Sequence, residues 1–94
     1  MDRVRFELGE KKYIMIEVRS CNNQPFEVAK ATYKLRCGLT EEASGECEIN
    51  QTNDTTVIVM ALVQPQAKGA TYELEFTYQI PPETLIYKVL VNVQ

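Results

Sequence analysis

KGATYELEFTYQI, residues 68–80, alternates apolar and polar side chains from Tyr72 to its end. Tyr72, Leu74, Phe76, Tyr78 and Ile80 fall on one parity, and Glu73, Glu75, Thr77 and Gln79 on the other. Successive side chains of a strand point to opposite faces, so this alternation predicts a half-buried β-strand, aromatic inside and polar outside. Leu74 and Phe76 then belong to the core, and only Tyr78, near the far end, is placed to meet a partner.

The same period of two continues in both directions. RVRFEL (3–8) sets Val4, Phe6 and Leu8 against Arg3, Arg5 and Glu7. KYIMIEVRS (12–20) sets Ile14, Ile16 and Val18 inward against Tyr13, Met15, Glu17 and Arg19. FEVAKATYKLRC (26–37) groups Ala29, Ala31, Tyr33, Leu35 and Cys37, with Phe26 and Val28 on the opposite parity, which predicts a bulge or bend near Ala29 where the strand changes the face it buries. GLTEEASG (38–45) is expected to be a hairpin connection, ECEIN (46–50) a short strand with Cys47 and Ile49 inward, and QTND a turn. TTVIVMALV (55–63) is so β-branched that both of its faces are expected to be covered, with Val59 in the core. TLIYKVLVNV (84–93) places Leu85, Tyr87, Val89, Val91 and Val93 together.

No window shows a 3.6-residue period. About seven strands joined by short turns predict one all-β domain over 1–94, an antiparallel two-sheet sandwich. A partly open barrel of the oligonucleotide-binding kind would need fewer strands and usually a helix. The expected core is Phe6, Ile14, Ile16, Val18, Tyr33, Leu35, Val59, Leu74, Phe76, Val89 and Val91.

Composition bounds the function. The 94 residues are 45% hydrophobic and 24% charged, with a formal net charge of -3. That is enough apolar material for one core. The ten Lys and Arg are scattered singly or in twos rather than gathered into a stripe, so nucleic-acid binding is not expected. The N-terminus is charged from its second residue and no run of about 18 apolar residues occurs, so neither a signal peptide nor a membrane span is expected. The cytoplasm is the expected compartment.

There is no histidine, no glycine-rich phosphate loop and no G-x-S-x-G elbow, so no cofactor and no catalysis are expected. Glu41 and Glu42 read as a solvated loop, not as an acid and base pair or a calcium site. Cys21, Cys37 and Cys47 have no C-x-x-C spacing and read as reduced thiols, Cys37 and Cys47 buried among apolar neighbours.

Within this frame KGATY resembles the start of the sixth strand in immunoglobulin-like domains. There a tyrosine hydroxyl bonds to backbone a few residues upstream. The resemblance implies that Tyr72 is a corner pin and that Gly69 gives the turn room. It departs at Leu74, where the family's second cysteine would stand, and at Tyr33, where antibody domains bury a tryptophan. It also implies that Lys34, Arg36, Glu73, Glu75 and Lys88 share one solvent face.

A second likeness covers residues 26–93. FEVAKATYKL, ASGECEI and PQAKGATYELEFTYQIPPETLIYKVLVNV are similar in order and spacing to small accessory proteins of prophages in Gram-positive bacteria. This implies a non-enzymatic head or tail component, assembled in the host cytoplasm, that contacts other virion proteins or itself. Alternatives are an immunoglobulin-like surface or carbohydrate-binding module, for which Tyr13 and Met15 are the exposed candidates, and a cytoplasmic adaptor. An adaptor would recognise a strand at the edge of its first or last strand.

Overall fold

The computed structural model describes residues 2–94. Its strands are β1 (Asp2–Phe6), β2 (Lys12–Arg19), β3 (Lys30–Cys37), β4 (Thr40–Glu46), β5 (Glu48–Asn53), β6 (Thr56–Val63), β7 (Thr71–Ile80) and β8 (Glu83–Val93). They form a five-stranded sheet in the order β1-β8-β7-β3-β4 and a three-stranded sheet in the order β2-β6-β5. The fold is an all-β two-sheet sandwich with eight strands where about seven were expected. One pair breaks the antiparallel rule: β1 runs parallel to β8, Asp2 beside Val89 and Phe6 beside Val93. β8 is therefore internal, and the edges are β1, β4, β2 and β5.

The additional strand comes from 38–45, read as a connection. Gly38, with φ of 62°, and Leu39 turn the chain tightly, and Thr40–Glu46 returns antiparallel to β3. Acids and turn formers hid this strand because an edge strand need not alternate, and its charges discourage further pairing. Gly45 lies opposite Tyr33, and a Cβ there would stand 3.2 Å from the ring's Cε1. The ring thus packs across the glycine, and Tyr33 is half-buried against the core rather than inside it.

Three other boundaries move. The strand expected from Phe26 begins at Lys30, so the change of face near Ala29 falls in the connection before the strand and not at a bulge within it. The Phe26 N–H donates to Asp54 O at 3.1 Å, whereas the Ala29 N–H donates to Gln79 O at 2.8 Å. The chain crosses from the end of the smaller sheet to the larger one between these residues, which accounts for their change of parity. In the ECEIN segment, Cys47 lies between β4 and β5 and Ile49 is 39% exposed, because β5 is an edge strand with all six residues exposed. The expected QTND turn is mostly strand, and the reversal falls at Asp54–Thr55.

Phe6, Ile14, Ile16, Val18, Leu35, Val59, Leu74, Phe76, Val89 and Val91 are buried, joined by Val57, Ala61, Val63 and Val93. Lys12 lies over one end of this core. Its Nζ stands 4.4 Å from the centroid of Phe6 and donates to Arg5 O at 2.8 Å. The β7–β8 turn is Pro81–Pro82, with a cis bond between the two.

All three cysteines are free: Cys21 exposed, Cys37 and Cys47 half-buried. The Cys47 N–H donates to Ala31 O at 2.9 Å, and Cys37 lies six residues further along β3. At about 3.3 Å per residue the two are about 20 Å apart, beyond the reach of a disulfide. Burial pushes the Cys47 thiol up to about 11.

Phe76 is 0% exposed at the middle of β7. Phe76→Ala should cost about 3–5 kcal/mol in denaturant unfolding. A loss below about 1 kcal/mol would mean that the inner row of β7 is not what closes the core.

Candidate interaction surface

Three places on the molecule bring functional groups together. The first is the corner before β7. The Tyr72 hydroxyl accepts from the Ala67 N–H at 3.0 Å and donates to Glu42 Oε1 at 2.6 Å, while Glu42 Oε2 accepts from the Gln66 N–H at 3.2 Å. Gly69, with φ of 75°, carries the turn, and its N–H donates to Val93 O at 2.9 Å.

Glu42 reaches Tyr72 because β4 is irregular: Leu35 pairs with Ala43 and Arg36 with Glu41, leaving Glu42 as the extra residue of a bulge. A bulge re-aims its side chain, here toward the end of the sandwich. Burial first, and then the bond to Glu42, push the Tyr72 phenol up. The corner ties edge strand β4 to the loop before β7. Nothing local in the sequence marked Glu42, since its partner lies 30 residues away.

The second place is the outer face of the larger sheet. Arg36 Nη2 donates to Glu73 Oε1 at 3.0 Å and Glu75 Oε2 at 2.7 Å, and Lys88 Nζ lies 3.4 Å from Glu73 Oε1. The bond from Arg36, reinforced by Lys88, holds the Glu73 carboxyl below the ordinary carboxylate value. An open hollow of about 440 Å³ lies between this network and the turn residue Leu39. Its charges are already paired with each other.

The third place is the outer face of the smaller sheet, and it is apolar. Met15 is 62% exposed, Tyr13 46% and Leu62 38%, with Ile58 and Met60 half-buried beside them. Register brings them into contact range: Tyr13 opposite Leu62, and Met15 opposite Met60. The Tyr13 hydroxyl donates to Glu48 Oε1 at 3.4 Å from β5. The expectation that both faces of β6 are covered is therefore corrected. Val57, Val59, Ala61 and Val63 are buried, while Ile58, Met60 and Leu62 face away from the other sheet. The sequence reading named Tyr13 and Met15 but missed these three, although the unbroken apolar run of β6 was the available signal.

Tyr78 is elsewhere. It is half-buried on the inner parity of β7 and lines a hollow of about 270 Å³ in the flank of the sandwich with Tyr87, Asp2 and residues 15–18 of β2. Among the described residues, Met15 alone belongs to both this hollow and the apolar face. Among the described residues, no three Cys, Asp or Glu side chains cluster to hold a metal ion.

Two outcomes are expected. Tyr72→Phe should destabilise by about 1–3 kcal/mol, because it strips the Ala67 N–H of its acceptor, and a double-mutant cycle with Glu42→Ala should show coupling of at least about 0.5 kcal/mol. Strict additivity would mean that the two groups do not act together. Because the Glu73 carboxyl is depressed on folding, its contribution is complete above the unfolded carboxylate value and is lost as pH falls through the folded one. An NMR titration should place Glu73 below an ordinary glutamate, and Arg36→Met should raise it; a midpoint indifferent to Arg36→Met would refute the pairing.

No protein-family model matches the chain, and comparison with curated proteins finds no relative.

Proposed function

We propose that this chain is a non-enzymatic structural or accessory component of a prophage-encoded particle that binds other protein subunits through the outer face of its smaller sheet. The observation that carries the reading is the stripe of Tyr13, Met15, Ile58, Met60 and Leu62, which no strand among the described residues covers. Contiguous exposed apolar surface is what a protein contact removes from water, and methionine side chains adapt to an opposing surface.

The rim supports a protein partner. Arg19, Glu17 and Glu48 border the stripe with both signs of charge, and Arg19 is already paired with Glu17. A lipid or phosphate surface would instead favour a basic rim. Five of the ten Lys and Arg (Arg5, Lys12, Arg19, Arg36 and Lys88) are in ion pairs, which weakens a nucleic-acid reading further. The head or tail placement, with assembly in the host cytoplasm, rests on the likeness of residues 26–93 to prophage accessory proteins.

The second reading is an immunoglobulin-like interaction module without a phage role. The sheet order β1-β8-β7-β3-β4 over β2-β6-β5, with Tyr72 pinning the turn into β7, favours it. Both readings use the same apolar face, but they differ in the partner.

Co-purification of the tagged chain with proteins encoded by neighbouring genes tests the proposal. The chain should retain a capsid, portal or tail subunit, and Met15→Glu combined with Met60→Glu should release it without changing Tm by more than a few degrees. Retention by the doubly substituted chain would reject the face, and neighbours devoid of particle genes would reject the phage role.

A further inference from the structure

The larger sheet has an edge that is half covered. β1 pairs with β8 only from Val89 to Val93, so along Glu83–Lys88 the outer side of β8 has no neighbouring strand among the described residues. Which backbone groups are open follows from the alternation of a strand. Val93 exchanges bonds with the β7 side, through its N–H to Ala70 O at 3.0 Å and its O from the Gly69 N–H at 2.9 Å, whereas the Gln94 N–H turns to Phe6 O of β1 at 2.8 Å. The β7–β8 register is continuous back to Ile80 and Glu83. Even-numbered residues therefore present their backbone groups to the outer side, and in the uncovered half these are Thr84, Ile86 and the N–H of Lys88, whose carbonyl the parallel register gives to the Asp2 N–H.

The flank hollow opens where β1 stops. Asp2, Tyr87, Tyr78 and residues 15–18 of β2 line it, so it lies between the β8 edge and the smaller sheet. Its polar groups are occupied: the Tyr87 hydroxyl donates to the Asp2 carboxylate and Arg19 pairs with Glu17. What remains is the apolar surface of Met15, Val18 and the two tyrosine rings. Ile86 stands on the opposite face of the same strand, 59% exposed.

We infer that this edge is a docking site for an extended apolar segment of another protein, added to the sheet as a strand in line with β1. Its backbone bonds to Thr84, Ile86 and the N–H of Lys88, and its inward side chains fill the hollow between β8 and β2. Unpaired strand backbone is satisfied best by another strand, and alternate side-chain pockets supply the selectivity. A second copy of the chain fits poorly. Pairing two β8 edges antiparallel drives the Pro81–Pro82 turn of one copy against the Asp2 end of β1 in the other. This surface meets the face of the smaller sheet at Met15, and the inference does not rest on the phage reading.

A displayed library of random heptapeptides, panned against the full chain, is the test. The expected result is enrichment of peptides with apolar residues at every second position. A selected peptide should slow amide exchange at Ile86 at least tenfold. Ile86→Pro removes an outward N–H that β7 does not use, so it should weaken binding at least tenfold. Tyr87→Gln, which leaves the backbone intact, should also weaken it and keeps the test open if the proline variant does not fold. Several outcomes would overturn the inference: no alternation in the enriched peptides, binding unaffected by Tyr87→Gln, protection at β2 or β4 instead, or an Ile86 amide already protected in a dimer of the chain alone.

Discussion

Everything else in the molecule is arranged around the inner row of β7, where Tyr72, Leu74 and Phe76 are buried to within 1% at the middle of the larger sheet. β7 is bonded on both sides, to β3 and β8, along most of its length. Its row meets Val89 and Val91 from β8 and Leu35 from β3 in the same layer, and Val57, Val59 and Ala61 of β6 complete the core. A chain this small has a single apolar layer to hide, so the strand with most of that layer takes the centre. Tyr72 closes the row at one end, where its hydroxyl needs partners and finds them in Ala67 and Glu42.

The two sheets are unequal, and the inequality sets which surfaces remain open. β7 and β8 have 10 and 11 residues and belong to the larger sheet, whereas β2 and β6 have 8 each in the smaller one. The first half of β8 consequently projects past its cover: Glu83 to Lys88 are exposed or half-buried, while Val89, Val91 and Val93 are buried. The elongated outline, 43 × 22 × 21 Å, reflects the same mismatch. The larger sheet's outer face is finished by Arg36, Glu73, Glu75 and Lys88, which neutralise one another. The smaller sheet's outer face is left apolar.

Much of the architecture was legible because a strand buried on one face writes a period of two into its residues. Ile14, Ile16 and Val18, or Val89, Val91 and Val93, declare their face without help from the rest of the chain. The reading faltered where that constraint is absent. β4 and β5 are edge strands with little to bury, so their acids and turn formers looked like loop, and Phe26–Ala29 changes parity because it passes between sheets. β6 misled for the opposite reason. It is apolar on both faces, and a strand cannot record whether a second layer lies over it.

The strand class and the inward rows are properties of the amino-acid order alone. These follow from local alternation, which needs no knowledge of distant neighbours. Only the packed molecule sets the parallel pairing of β1 with β8, the gathering of Arg36, Glu73, Glu75 and Lys88 on one face, the bulge that brings Glu42 to Tyr72, the uncovered stripe from Tyr13 to Leu62, and the open half of β8. Each depends on which strand lies beside or above another. That is settled by contacts between residues far apart in the chain, where side-chain alternation carries no information.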